Sequence, residues 1–312
     1  MKWCSFLATA LAPFLAVTVG FAAAPSIRVV EPQQERPHNR QFWRDIAKNQ
    51  YLLPAGEQVL PLVRELSGYL SSPDPELRDD LAYTILDVWI VDRNQLSATE
   101  LGSARSEWEN NLHFGIGENG TDSVFRRSFS ALCLAALAER DLKSPFLGEQ
   151  SFHTLLEDSL VYLQQERDLR GFDPVKGWIH STAHTADLLA ALAGNPLFKV
   201  QDQARVLEAI SKRLTSARQI FAYGEQDRLA SAIAAIIARK DFNAAGFHRW
   251  LSTLDETDRK VWKDSPPNDD SLKTFQNNNY MLQALVARLY ANPKTPELSA
   301  ALDEVIQILR KR

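Results

Sequence analysis

Gly171-Phe-Asp-Pro-Val-Lys-Gly-Trp-Ile-His-Ser-Thr-Ala-His-Thr-Ala-Asp-Leu-Leu-Ala-Ala-Leu-Ala193 is the stretch on which the fold turns. Asp173-Pro174 reads as a helix start, with Gly177 giving the backbone freedom there. Beyond it, Ile179, Ala183, Ala186, Leu188, Leu189, Ala190, Ala191 and Leu192 make the helix apolar nearly all round. A helix with no polar side must be covered by protein on every side. The neighbouring sequence supplies more helices to cover it.

Upstream, Val59, Leu60, Val63, Leu66 and Leu70 recur at helical spacing between Gly56 and Ser71. Ser72-Pro73-Asp74-Pro75 then places a cap at Asp74 and proline in the first turn, opening a helix over Glu76–Val91. Further helices begin near Ser97, Thr121, Gly148, Gln201, Tyr223, Asn243, Asp269 and Thr295, divided by turn pairs such as Asn119-Gly120 and Asn195-Pro196. No alternating β-branched run lies between turn residues, so no strand is expected. The pattern predicts an all-α fold of antiparallel helix pairs, stacked as an α-solenoid or an α/α toroid-like superhelix. No fixed repeat period holds across the chain. Residues 41–312 read as one helical domain, starting with a short helix at Gln41–Gln50.

The start of the chain reads differently. Lys2, the apolar run Phe6–Val19 and the small-residue end Gly20–Ala24 make a secretion signal over residues 1–22, cut after Ala22. The alternative is an uncleaved anchor, since the run approaches the length that spans a bilayer. Residues 23–40, with Pro25, Pro32 and Pro37, form an extended leader. The expected protein is exported, periplasmic or secreted, and has no stable membrane span once the signal is cut.

With 45% hydrophobic and 24% charged residues, the chain has the composition of an ordinary globular protein. Its net charge of −4 and scattered basic residues lack the concentrated basic face that duplex binding needs, so nucleic acid is not an expected partner. Cys4 falls in the signal; Cys133 lies in an apolar helical run and reads as a packing residue.

Chemistry centres on the quoted stretch. His180, His184 and Asp187 stand at i, i+4 and i+7, within roughly a 60° arc of one helix. Two imidazoles and a carboxylate on a buried helix must be hydrogen-bonded, paired or metal-bound. One reading is a functional site, either other pocket chemistry or a site for a divalent metal ion with the imidazoles as ligands and Asp187 as a third ligand or an orienting group. The other is a buried network tied to neighbouring carbonyls. Ser181 occupies the place of the zincin glutamate, which disfavours zinc-protease chemistry.

Other helices offer candidate pocket residues. Asp80, Tyr83 and Asp87 lie on one side of the Glu76–Val91 helix. Asp122 sits four residues before Arg126, at ion-pair spacing, with Thr121 as a cap. Asp227 and Arg228 open an alanine-rich helix. Trp178 adjoins the histidine stripe, although tryptophans 43, 89, 108, 178, 250 and 262 follow helical faces and read as core. In a stack of helix pairs these polar groups could converge on one cleft.

Several of these segments carry a family likeness. Leu77-Arg-Asp-Asp-Leu-Ala-Tyr-Thr, Thr121-Asp-Ser-Val-Phe-Arg-Arg-Ser-Phe-Ser, Glu166-Arg-Asp-Leu-Arg-Gly and Lys176-Gly-Trp-Ile-His-Ser-Thr-Ala-His-Thr-Ala-Asp occur in that order, followed by the Glu225–Arg228 stretch. Together they resemble the bacterial domain of unknown function 2785 (DUF2785) over residues 41–290. The resemblance implies a helical body and brings no activity with it.

Two functions follow from the residues. One is a polar, metal-binding pocket around His180, His184 and Asp187, able to run hydrolysis with metal-activated water. The other is a non-enzymatic helical-repeat scaffold for a peptide or protein partner in the cell envelope.

Overall fold

In the computed structural model the described residues are 38–263, 265–291 and 295–312. The signal and most of the leader lie outside them. Twelve α-helices follow one another among the described residues: α1 Arg40–Lys48, α2 Val59–Tyr69, α3 Thr84–Asp87, α4 Ala98–Leu112, α5 Ser123–Lys143, α6 Glu149–Gln165, α7 Ser181–Gly194, α8 Val200–Ser216, α9 Glu225–Ile237, α10 Ala244–Lys260, α11 Asp269–Ala291 and α12 Pro296–Leu309. Among the described residues the regular structure is helical apart from a two-stranded hairpin, β1 Phe172–Asp173 and β2 Gly177–Trp178.

Caps fix several boundaries where the sequence places them. Ser97 and Glu100 close a reciprocal capping box on α4. Asn243 caps α10 through the Gly246 amide, and Thr295 caps α12 through the Leu298 amide.

Two local expectations fail for identifiable reasons. The segment expected to start a helix near Asp173 is the hairpin, and α7 begins only at Ser181. Asp173 Oδ1 accepts from the amides of Val175 and Lys176, both at 2.8 Å, so the side chain closes a turn instead of capping a helix. The expected single α-helix over Glu76–Val91 is α3 flanked by π-helical turns at Glu76–Tyr83 and Val88–Asp92. Thr84 directs both its amide and its hydroxyl to the Asp79 carbonyl five residues back, which favours the wider turn. Asp74 still caps the segment, accepting from the amides of Glu76 and Leu77.

Packing follows the distribution of apolar residues. On α5, Val124, Phe125, Leu134 and Leu137 are fully buried, as are Ala186, Leu188, Leu189 and Leu192 on α7. These two helices pack along each other; α7 packs equally along α9, and α9 along α11. The amphipathic helices α6, α8, α10 and α12 contact one another in the same order. On α8, for example, Val206, Leu207, Ile210 and Leu214 are buried while Glu208 is exposed. Each large apolar side chain so buried contributes about 1.5–3 kcal/mol. Trp43, Trp89 and Trp108 are core residues as read, whereas Trp178 and Trp262 are exposed.

Candidate functional site

Helix α7 carries the histidine stripe along its first turns. His180 is the residue before the helix, in a left-handed conformation with φ 48°. Its ring stacks on Trp178 at 4.3 Å, and its Nε2 donates to the Tyr223 carbonyl at 3.0 Å. His184 is buried, and its tautomer follows from its partners. The Ser128 hydroxyl donates to the Ile179 carbonyl, so His184 Nδ1–H donates to Ser128 Oγ at 2.8 Å and to the Ser128 carbonyl at 3.2 Å. Burial pushes the His180 imidazole down to about 4 and lowers His184 as well, so both rings are neutral near pH 7. The ring centroids are 5.7 Å apart. Each histidine is tied to a carbonyl, as in the hydrogen-bonded reading of the stripe. Among the described residues no group of three or more His, Cys, Asp or Glu is placed to hold a metal ion.

Asp187, one turn further on, belongs to a different setting. It pairs with Arg228 at 2.6 Å and lines a cleft of 420 Å³ with Tyr83, Asp87, Glu139, Arg228 and Ser231, over a floor of Leu132, Ala135, Ala136, Ala190 and Ala191. The polar lining comes from α5, α7, α9 and the segment around α3, so four separate regions of sequence meet there. Tyr83, Asp87, Asp187 and Arg228 are candidates from the sequence reading. Glu139 is not; late in α5, beside Arg140 and Asp141, it looks like any solvent-facing helix-end acid.

The cleft lining carries three carboxylates and one guanidinium, and Lys143, just outside the lining, acts favourably on the charged forms of Asp87 and Glu139. Burial pushes the Asp87 carboxyl up to about 6, with Glu139 and Asp92 adding to the effect. Burial also raises Glu139 and Asp187; Arg228 opposes it at Asp187. Burial first, then Asp87, raises the Tyr83 hydroxyl. Among the described residues neither Asp87, which is half-buried, nor Glu139, which is exposed, has a hydrogen-bond or ion-pair partner.

The other candidates are placed elsewhere. Asp80 is exposed. Asp122 takes Lys176 as its partner at 2.6 Å instead of Arg126, whose guanidinium lies over the Phe114 ring at 4.1 Å. Thr121 donates to Glu118 and does not cap α5. Asp227 accepts from Arg288 of α11. Trp178 stands on the hairpin, outside the cleft lining.

The sequence reading also missed the buried cations that hold the surroundings rigid. Arg78 is fully buried over Phe125 and Phe129 and donates to the carbonyls of Ser72, Lys176 and Trp178, at 2.8, 2.7 and 3.2 Å. It therefore fixes the hairpin. Its Nε lies 2.8 Å from Asp79 Oδ1 without hydrogen-bond alignment. Arg127, also fully buried, grips Glu166 with two bonds and reaches the carbonyls of Phe114 and Gly115. Glu166 accepts in turn from the Asp168 amide, and Asp168 from Gly120 and Arg170. The charged motif Glu166–Gly171 thus ties α5, α6 and the start of α7 together; its charges are structural.

A family model described as "Protein of unknown function (DUF2785)" matches residues 112–287. That is more than half of the chain, which belongs to this family. The matched span begins after the Leu77–Thr84 segment and contains α5, α7 and α9. No match was found among curated proteins or solved structures.

Proposed function

We propose that this DUF2785 protein is an exported binding protein whose acidic cleft holds a basic side chain of a peptide or protein partner. One observation carries the reading. Asp87 lines the cleft half-buried and without a hydrogen-bond or ion-pair partner, with the exposed Glu139 across from it and an Asp187 already paired with Arg228. A half-buried carboxylate without a donor is costly, and a lysine or arginine side chain supplies both charge and donors. The successive packing of α5, α7, α9 and α11 supports a superhelical layer whose inner face carries the cleft. Export is supported by Lys2, the apolar run Phe6–Val19 and the small residues before Pro25. A mature chain that starts at Ala23 is the expected product in the cell envelope.

The test is equilibrium binding of fluorescent hexalysine to the purified chain and to Asp87→Asn/Glu139→Gln. The wild type should bind, weakening with salt, and the variant should lose at least tenfold in affinity. Equal binding by both would remove the reading.

A second reading is acid–base hydrolysis, favoured by one feature. Asp87 and Asp187 line the same cleft in different settings, Asp187 paired with Arg228 at 2.6 Å and Asp87 without a partner, while burial raises both carboxyls. Recovery of bound hexalysine intact after prolonged incubation, judged by mass spectrometry, would count against it.

A further inference from the structure

The hairpin between α6 and α7 presents Phe172, Val175 and Trp178 to solvent, and Tyr223 from the segment before α9 joins them. Phe172 meets Trp178 edge to face at 4.9 Å and lies 6.4 Å from Tyr223. Isolated exposed apolar residues are ordinary, but four gathered on two adjoining segments are a patch.

Three features hold this patch rigid. Arg78 binds the two hairpin carbonyls from below. Gly177, at φ +75°, has no room for a Cβ, which would lie 2.9 Å from Pro75. The Tyr223 ring occupies the space that any side chain at Gly171 would need. One face of Trp178 is backed by the neutral His180 ring, leaving the other side of the residue open. A rigid, half-exposed aromatic cluster loses little conformational freedom when it receives a ligand, which is the property of binding hot spots.

The patch and the cleft lie at the two ends of one helical stripe whose intervening residues 181–186 are buried, and Arg228 of the cleft acts electrostatically on both His180 and His184. His180 joins Trp178 to Tyr223, and α7 runs from it through His184 to Asp187 in the cleft wall. Seven residues of helix separate His180 from Asp187, a rise of about 10 Å. An extended peptide covers that distance in about three residues.

We propose that the aromatic hairpin is the second contact for the cleft's ligand, an extended peptide carrying a bulky apolar residue about three positions from its basic residue. This rests on the reading of the cleft as a basic-residue site. The acidic lining selects the cation by charge, and the apolar face takes its neighbour.

The experiment uses the full chain and acetylated, amidated peptides containing lysine with phenylalanine three positions away, in both orders. Control peptides have alanine for phenylalanine, glutamine for lysine, or the two residues adjacent. The lysine–phenylalanine peptide in one order should bind about tenfold tighter than its alanine counterpart. Trp178→Ala and Phe172→Ala, checked by circular dichroism, should each erase most of that gain and leave the alanine peptide unchanged. Asp87→Asn should weaken both lysine peptides alike. Phenylalanine adding nothing at either order or spacing, or hairpin variants weakening both peptides equally, would overturn the inference and leave the cleft reading standing. Failure of every lysine peptide would overturn both. Binding of the glutamine–phenylalanine peptide as tightly as the lysine one would show an apolar surface independent of the cleft and would also overturn the joint site.

Discussion

Replacing Arg78 with methionine removes a buried guanidinium while keeping a flexible apolar chain between Phe125 and Phe129. Three carbonyl acceptors then lose their donor, and Asp79 loses the guanidinium that opposes the effect of its burial. Breaking a buried pair in this way costs about 3–5 kcal/mol. In a chain of this size that is a fall in Tm on the order of 10 °C. The loss should also depend on pH, with a sign set by Asp79. Burial pushes its carboxyl up to about 6, from the ordinary value of 3.8, even with Arg78 beside it. A folded-state value above the unfolded one means that stability is greatest at low pH and declines as pH rises through the folded value. Without Arg78 the carboxyl moves higher still, so the decline deepens and continues to higher pH. The gap between wild type and Arg78→Met should therefore be smaller at about pH 5 than at about pH 8. Thermal and urea unfolding at both values, followed by circular dichroism, measure it. A loss under about 1 kcal/mol, or a gap indifferent to pH, would refute the claim that this guanidinium clamps the hairpin.

Other expectations follow from the same geometry. Gly177→Ala, which must adopt φ +75° and approach Pro75, should destabilise by about 2 kcal/mol in urea unfolding; a neutral effect would mean the hairpin adjusts freely. The His180 imidazole should titrate at about 4 by NMR, not near the ordinary imidazole value of 6.5. Because that folded value is depressed, stability linked to His180 is present above 6.5 and is lost as pH falls toward 4; a midpoint near 6.5 would show a solvated ring. Arg127→Met strands Glu166, fully bonded in the native fold, and should cost about 3–5 kcal/mol, whereas a change under about 1 kcal/mol would show that the network is dispensable.

The helical class was legible because α5, α7 and α9 carry apolar residues around most of their circumference and because caps such as Ser97, Asn243 and Thr295 mark their own boundaries. Polarity on a greasy helix marked Tyr83, Asp87, Asp187 and Arg228, which line one cleft, and equally Asp80, Asp122, Arg126, Trp178 and Asp227, which do not, because the pattern marks a candidate without saying where it points. The hairpin was not legible, because Asp173-Pro174 opens a helix and a tight turn equally well, and only the amides that reach Asp173 decide between them. Nor were the roles of Arg78 and Arg127, whose acceptors are mostly backbone carbonyls and so leave no side-chain signature in sequence. The histidines illustrate a further limit. Their spacing fits shared ligation, yet each ring is satisfied by a carbonyl supplied by another segment, Tyr223 in one case and Ser128 in the other. Periodicity reports which residues share a face, and the donors and acceptors opposite that face decide what they do.

The account depends on Asp87 being a carboxylate held in a sheltered cleft and awaiting a cation. Carboxyl-resolved NMR titration of the chain, alone and saturated with hexalysine, tests this most directly. The free protein should show the Asp87 midpoint at about 6, and bound hexalysine should lower it by about one unit, the shift linked to a tenfold gain in affinity on ionisation. An Asp87 midpoint near the ordinary carboxyl value of 3.8, unmoved by the peptide, would contradict the account at its centre.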